Sequence, residues 1–245
     1  MAASFLTRLH VPAAAGAADV GSSVRWFPLV GAMLGCAGAA AAWVLRELGG
    51  MPSTMTAAIV VALGAWVTGA IHLDGLADMA DGFGGGRTRD DVLRIMRDSS
   101  IGSYGATALV LVLTIKVLSV AELLQRGAGV ACLVVAPALA RWTVAALAAW
   151  APYARSGGGL GQAVTGEPSR DALPIATLSA AVVAVAALQL EGIVMLAVAA
   201  AVTLWVGRLA RRRIGGVTGD VFGAAVELTE TAVLVGAVLI TGKTS

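Results

Sequence analysis

Long apolar runs separated by short polar segments dominate this chain. A run of roughly 18 or more residues with few charges matches a bilayer core about 30 Å thick. On that pattern seven membrane-spanning helices are predicted, at 27–48, 52–71, 104–124, 127–150, 173–190, 192–209 and 223–240. Only Glu191 and a glycine separate the fifth from the sixth, which predicts a tight helical hairpin or a tilted segment. No internal repeat is visible. The predicted fold is an all-α, polytopic transmembrane bundle. No polar stretch is long enough to fold separately, so residues 1–245 read as one integral membrane domain.

Composition agrees with the pattern. Of 245 residues, 58% are hydrophobic and 13% charged, and the mean hydropathy is +0.85. A soluble domain of this size needs more charge to cover its surface. A net charge of +2 gives no field that calls for nucleic acid. Cys36 and Cys132 both fall inside apolar runs and read as small buried residues, not as a disulfide or metal pair. Near the N-terminus, Pro12, Asp19 and Arg25 interrupt what a signal peptide would keep apolar.

The basic residues set an orientation, because cytoplasmic loops collect Lys and Arg. With the N-terminus cytoplasmic, that side holds Arg8, Arg25, Arg87, Arg89, Arg94, Arg97, Arg155, Arg170, Arg208, Arg211, Arg212 and Arg213. The other side holds Arg46, Arg126 and Lys243, while Lys116 and Arg141 lie within spans. This asymmetry favours a cytoplasmic N-terminus. Three polar segments, 72–103, 151–172 and 208–222, then share the cytoplasmic side, and they carry the unusual chemistry.

The first holds His72-Leu-Asp74-Gly75-Leu-Ala-Asp78-Met-Ala-Asp81-Gly82. Asp74, Asp78 and Asp81 are spaced i, i+4, i+7, which places them within about 60° on one helix face. Three stacked carboxylates repel one another unless a cation intervenes, and hard oxygen ligands favour Mg²⁺ or Mn²⁺. The alternative is a solvated acidic face. Gly84, Gly85 and Gly86 could present backbone N–H groups to a phosphate, or form a plain turn. Thr88 to Asp91 has the spacing of a helix-capping box. Beyond it Arg94, Arg97 and Asp98 approach Gly102, and the two arginines could clamp phosphate oxygens or merely flank a span. His72 is a candidate base, a phosphate ligand or an interfacial residue.

The other segments add Arg155, in a basic loop that could close over substrate, and Thr218 and Asp220 in a glycine-rich stretch. Glu227 and Glu230 fall inside the last apolar run. Intramembrane carboxylates need partners or a wet cavity. They either bind substrate, with Lys116 contributing, or form structural ion pairs with Lys116 and Arg141.

Several strings resemble one family. HLDGLADMADGFGGG, IMRDSSIGSYG, APALARW with PYAR following, and RRIGGVTGDVFGAAVELTE closely resemble cobalamin synthase, the adenosylcobinamide-GDP ribazoletransferase family. FLTRLHVP and VRWFPLVG at the start are also similar, and the stretch from about 173 to 207 matches least. The resemblance implies an Mg²⁺-dependent inner-membrane enzyme of late cobalamin nucleotide-loop assembly. Its donor would be adenosylcobinamide-GDP and its acceptor α-ribazole or α-ribazole 5′-phosphate. The acceptor's ribose hydroxyl would attack the phosphorus attached to cobinamide, and GMP would leave. Asp74, Asp78 and Asp81 would hold Mg²⁺ against the diphosphate, with one of them or His72 taking the proton. Asp78-x-x-Asp81-Gly82 is weakly similar to the start of the CDP-alcohol phosphotransferase motif, but Phe83-Gly84 replaces the Ala-Arg expected next. Two other classes are a transporter with Lys116, Arg141, Glu227 and Glu230 along its path, and a scaffold for other cobalamin biosynthesis enzymes. Abundant glycine and alanine would permit self-association into a homo-oligomer.

Overall fold

The computed structural model describes residues 2, 6–7, 21–155, 160–165 and 171–241. Arg8, Arg170 and Lys243 of the charge asymmetry, and residues 156–159 of the second polar segment, lie outside them. Ten helices account for nearly all the described residues: α1 Gly21–Leu48, α2 Ser53–Val67, α3 Ile71–Gly85, α4 Arg89–Ile95, α5 Ser103–Gln125, α6 Gly129–Trp150, α7 Leu160–Thr165, α8 Ala172–Leu188, α9 Leu190–Ile214 and α10 Gly219–Thr241. Among the described residues there is no β-strand, only one bridge between Tyr153 and Val217.

Each predicted span coincides with a helix, but they are not equivalent. Helices α1, α5, α6, α9 and α10 are long and apolar enough to cross a membrane. Helix α2 has only 15 residues, and α8 is a shorter apolar helix. After α2 the chain turns through 89° into α3. Gly69 and Ala70 make that turn, both at left-handed φ, +66° and +58°. Ala70 carries a Cβ there, a conformation normally left to glycine. Three carboxylates in 15 residues make α3 a poor lipid-crossing segment, so we read it as lying outside the spans. The first polar segment is thus largely helical.

Helix α6 is the hub: 72% of its most apolar stretch is buried, against 33% for α1 and 39% for α5. Gly31 and Gly35 let α1 lie directly on the α6 backbone at Leu133 and Pro137. Pro137 has no N–H for the Leu133 carbonyl, and the Gly35 backbone packs against that same carbonyl. Helix α8 presents Ala172, Ala176, Ala180 and Ala184, all buried, at a four-residue period. The predicted hairpin between the fifth and sixth spans turns at Gln189.

Arginines tie both ends of the bundle to helix carbonyl termini, where the backbone dipole is negative. At one end Arg46 donates to the Leu124 carbonyl and Arg126 to that of Val238. At the other, Arg213 donates to the carbonyls of Phe83 and Gly86, closing the end of α3. Arg89 donates there to Ile214 and Ala154. That second end holds the polar segments.

Candidate active site

Three pieces of chain meet here: α3 with α4, residues 151–155 with α7, and the 215–222 stretch that opens α10. The Ala154 N–H donates to the Val217 carbonyl and the Val217 N–H to that of Pro152, each at 2.8 Å. Helix α3 crosses α10 where Gly75 meets Gly223. A Cβ on Gly75 would stand 2.8 Å from the Asp220 carbonyl, and one on Gly223 3.0 Å from that of His72. Only glycine permits this approach, which sets Asp74 and Asp78 beside Asp220.

Two cavities open around these carboxylates. The larger, about 790 Å³, lies between the α2–α3 bend and α5; its walls include Ala70, Leu73, Asp74, Asp78, Leu109 and Leu113. The smaller, about 290 Å³, is bounded by His72 and Asp74 of α3, Val144 of α6, Tyr153, Arg155 and Val164, and Asp220 and Phe222 of α10. Asp74 lines both.

The electrostatics centre on Asp78. Its carboxyl is pushed up to about 7, first by burial and then by the negative charges of Asp220 and Asp74. Asp220 is braced by the Arg155 guanidinium at 2.7 Å and by the Thr218 hydroxyl at 3.3 Å. Thr218 also accepts the Val221 N–H at the start of α10. Arg155 spans further, donating to the Met96 carbonyl, and its Nε has no partner. Three carboxylates share one arginine, which leaves negative charge in excess.

Other candidates have different placements. Asp81 belongs to the predicted acidic face, but its carboxylate accepts the backbone N–H groups of Gly102 and Gly105 at 2.7 and 2.8 Å. It caps the start of α5, where unpaired N–H groups gather. Helix α3 passes from the cavities to the start of α5 along its length, so residues on one face meet different surroundings. Gly84 and Gly85 close α3 and Gly86 follows it. Their close neighbours are the Tyr104 ring at Gly84 and Val92 at Gly86, and the Gly86 carbonyl accepts from Arg213. Gly84 and Gly85 are exposed and Gly86 is buried, its N–H donating to the Gly82 carbonyl. Thr88 and Asp91 form the expected capping box of α4. Arg94 is exposed and 3.8 Å from Asp91. Asp98 accepts the Ser100 N–H. Neither Arg94, Arg97 nor Asp98 lines either cavity.

Lys116 and Glu227, both candidates for substrate, are committed to each other. Lys116 Nζ is 2.6 Å from Glu227 and 3.1 Å from Glu230, and Arg141 bonds the other Glu230 oxygen. Two positive and two negative groups cancel inside the bundle. Breaking such a network exposes an uncompensated charge, and the geometry matches the ion-pair alternative. The same closure removes the charged path that a transporter would need. His72 is buried beside this network, and burial, with Arg141 next, lowers its imidazole to about 3. It stays neutral at any physiological pH and is a weak base. Its Nδ1 has no hydrogen-bond partner.

Among the described residues no three His, Cys, Asp or Glu side chains are grouped as a preformed metal cage. Mg²⁺ does not need one, since it is commonly held by one or two carboxylates with substrate phosphates and water. The mutual repulsion that raises Asp78 is what such a cation relieves, and Asp74 and Asp220 supply the oxygens. The residues present therefore fit Mg²⁺.

Sequence reasoning missed the Gly75–Gly223 crossing, the Arg213 and Arg89 clasps, and the apolar walls at Val144 and Phe222. Gly223, three residues after the RRIGGVTGD string, carried no sign of its partner.

A family model described as cobalamin-5-phosphate synthase matches residues 1–238. Curated relatives named adenosylcobinamide-GDP ribazoletransferase are similar over almost the whole length. The protein of Pseudomonas aeruginosa is 42% identical over 96% of this chain and 95% of its own. That of Sinorhizobium medicae is 41% identical over 94% and 92%, and that of Ectopseudomonas mendocina 40% over 96% and 95%. No solved structure matches.

Proposed function

The chain belongs to the cobalamin-5-phosphate synthase family, and we propose that it is an adenosylcobinamide-GDP ribazoletransferase. The reaction moves the adenosylcobinamide-phosphate group from adenosylcobinamide-GDP to a ribose hydroxyl of α-ribazole or its 5′-phosphate. The new P–O bond forms to the ribose oxygen, the P–O bond to GMP breaks, and the hydroxyl proton goes to the enzyme. The observation that carries this reading is the carboxylate cluster of Asp74, Asp78 and Asp220, with Asp74 shared by two cavities of unequal size. A two-substrate transfer needs such a meeting point.

Transfer of this kind asks little covalent chemistry of the protein and depends on positioning and electrostatics. Asp74 and Asp220 would hold Mg²⁺, which when bound neutralises charge on the diphosphate. Arg155 orients Asp220, and its unpartnered Nε is a donor available to a phosphate oxygen. Asp78, ionising near neutral pH, is the best-placed group to accept the hydroxyl proton. Val144, Phe222 and Leu6 give the smaller cavity an apolar lining.

The arginine asymmetry supports a cytoplasmic site in the inner membrane. At the site end stand Arg89, Arg155 and Arg213, and at the far end Arg46 and Arg126.

A GMP-release assay on purified protein tests the proposal, with donor and acceptor omitted in turn and Mg²⁺ chelated. Release that requires all three supports it. Release of CMP from a CDP-alcohol, with no GMP from the cobinamide donor, would replace it.

A further inference from the structure

The two cavities differ in more than size. The larger is open and takes in the α2–α3 bend. The smaller, about 290 Å³, lies at the lower limit of small-molecule sites, roughly 300–1,000 Å³. It has room for one nucleoside and none for a corrinoid. Its apolar lining is Leu6, Val144, Val164 and Phe222, and its polar lining includes Tyr153, Asp74, Arg155 and Asp220. Guanine would strand several donors and acceptors against the apolar residues, at a free-energy cost for each. A flat bicyclic base with a single hydrogen-bonding ring nitrogen would not.

His72 lines this chamber. It is only 7% exposed, and Nδ1 is buried without a partner. Buried polar atoms in folded proteins are rarely left unpaired, because the loss is not repaid by water. The mechanism above makes no use of this nitrogen.

Resting on the ribazoletransferase reading, we propose that the smaller chamber is the acceptor subsite, with the nucleoside base against Val144 and Phe222, and that His72 selects the base by pairing Nδ1 with its free ring nitrogen. The donor's corrinoid takes the larger cavity, and its diphosphate reaches towards Asp74, Asp220 and Arg155. Its activated phosphorus and the acceptor's ribose then meet at Asp74, the carboxylate common to both. Both substrates are bound at once, so the phosphoryl group passes directly between them. His72 is a specificity-determining residue here and leaves the proton transfer to Asp78.

Kinetics with base analogues test this. Wild-type protein should prefer a benzimidazole riboside over the indole riboside, in which C–H replaces the ring nitrogen, by about 10- to 100-fold in kcat/KM. In His72→Phe the preference should fall to within about twofold, and Val144→Phe should raise acceptor KM about tenfold or more with donor KM unchanged. An unchanged base preference in His72→Phe, or a rise in donor KM in Val144→Phe, would overturn the assignment. Wild-type protein offers a second measurement without substitutions. An acceptor bearing a diazirine on its base should label Val144, Phe222 or Val164 without donor present. Labelling of Ile101, Leu109 or Leu113 in the larger cavity instead would sink the proposal. Absence of GMP release with every acceptor would count against the enzyme assignment, whereas the labelling reads the subsite alone.

Discussion

Gly75 and Gly223 bring the backbones of α3 and α10 into direct contact: a Cβ on Gly223 would lie 3.2 Å from the Gly75 Cα. This contact seats Asp74 and Asp78 beside Asp220. Gly75→Ala would press on the Asp220 backbone and should cost about 1–3 kcal/mol in stability. GMP release should fall by at least about tenfold, since small displacements of positioned groups are expensive. Thermal unfolding in detergent and the release assay, run together, separate the two effects.

Arg155 is the one cation seen bonding the carboxylate cluster among the described residues, through Asp220. Arg155→Met should lower GMP release about 100-fold. Arg155→Lys should recover only part, because a compact ammonium cannot bond Met96 and Asp220 as the planar guanidinium does. Full activity in Arg155→Met would remove this residue from the site.

Asp81 and its neighbours should separate cleanly. Asp81→Asn keeps an acceptor for one of the two α5 N–H groups and sets its own NH2 against the other, so it should lower the melting temperature while leaving the metal site alone. Its Mg²⁺ half-saturation should stay within about twofold of wild type, while Asp74→Asn should raise it about tenfold or more. A matching rise for Asp81→Asn in Mg²⁺ titrations of GMP release would return Asp81 to the metal site.

The proton affinity of Asp78 predicts how stability changes with pH. Its folded value, about 7, lies above the ordinary 3.8. The folded state therefore favours the proton, and this contribution is fully present below the unfolded value and lost as pH rises towards 7. With Mg²⁺ chelated, the melting temperature of wild type should fall between about pH 4 and pH 7, and Asp78→Asn should flatten that slope. Mg²⁺ should restore part of the stability at high pH. An identical slope in the variant would contradict the assignment.

The buried quartet of Lys116, Glu227, Glu230 and Arg141 is predicted to hold the fold. Lys116→Met strands Glu227 and should cost about 3–5 kcal/mol. The double substitution Lys116→Met with Glu227→Gln should regain much of that loss. Melting curves of the single and double variants measure the coupling.

Much of this was legible in the chain. Apolar runs gave the helices, because a span must satisfy every backbone group within itself whatever it packs against. The spacing of Thr88 and Asp91 gave a cap, since capping is local. The aspartate spacing gave a helix face with the right chemistry, and the family strings gave the reaction class.

Other features depended on contacts between distant segments. Asp74, Asp78 and Asp81 are equivalent by spacing, yet Asp81 is taken by Gly102 and Gly105 while the other two face the larger cavity. Glu227 and Glu230 had two readings until Lys116 and Arg141 were found against them. The sequence by itself determined the helices, the charge segregation and the supply of carboxylates, because these follow from local periodicity and from the cost of burying charge. Only the tertiary structure decided which carboxylates remain available and what each cavity admits. A side chain's role depends on the groups that reach it, and those come from residues up to 146 positions away, as in the Arg25–Asp171 pair.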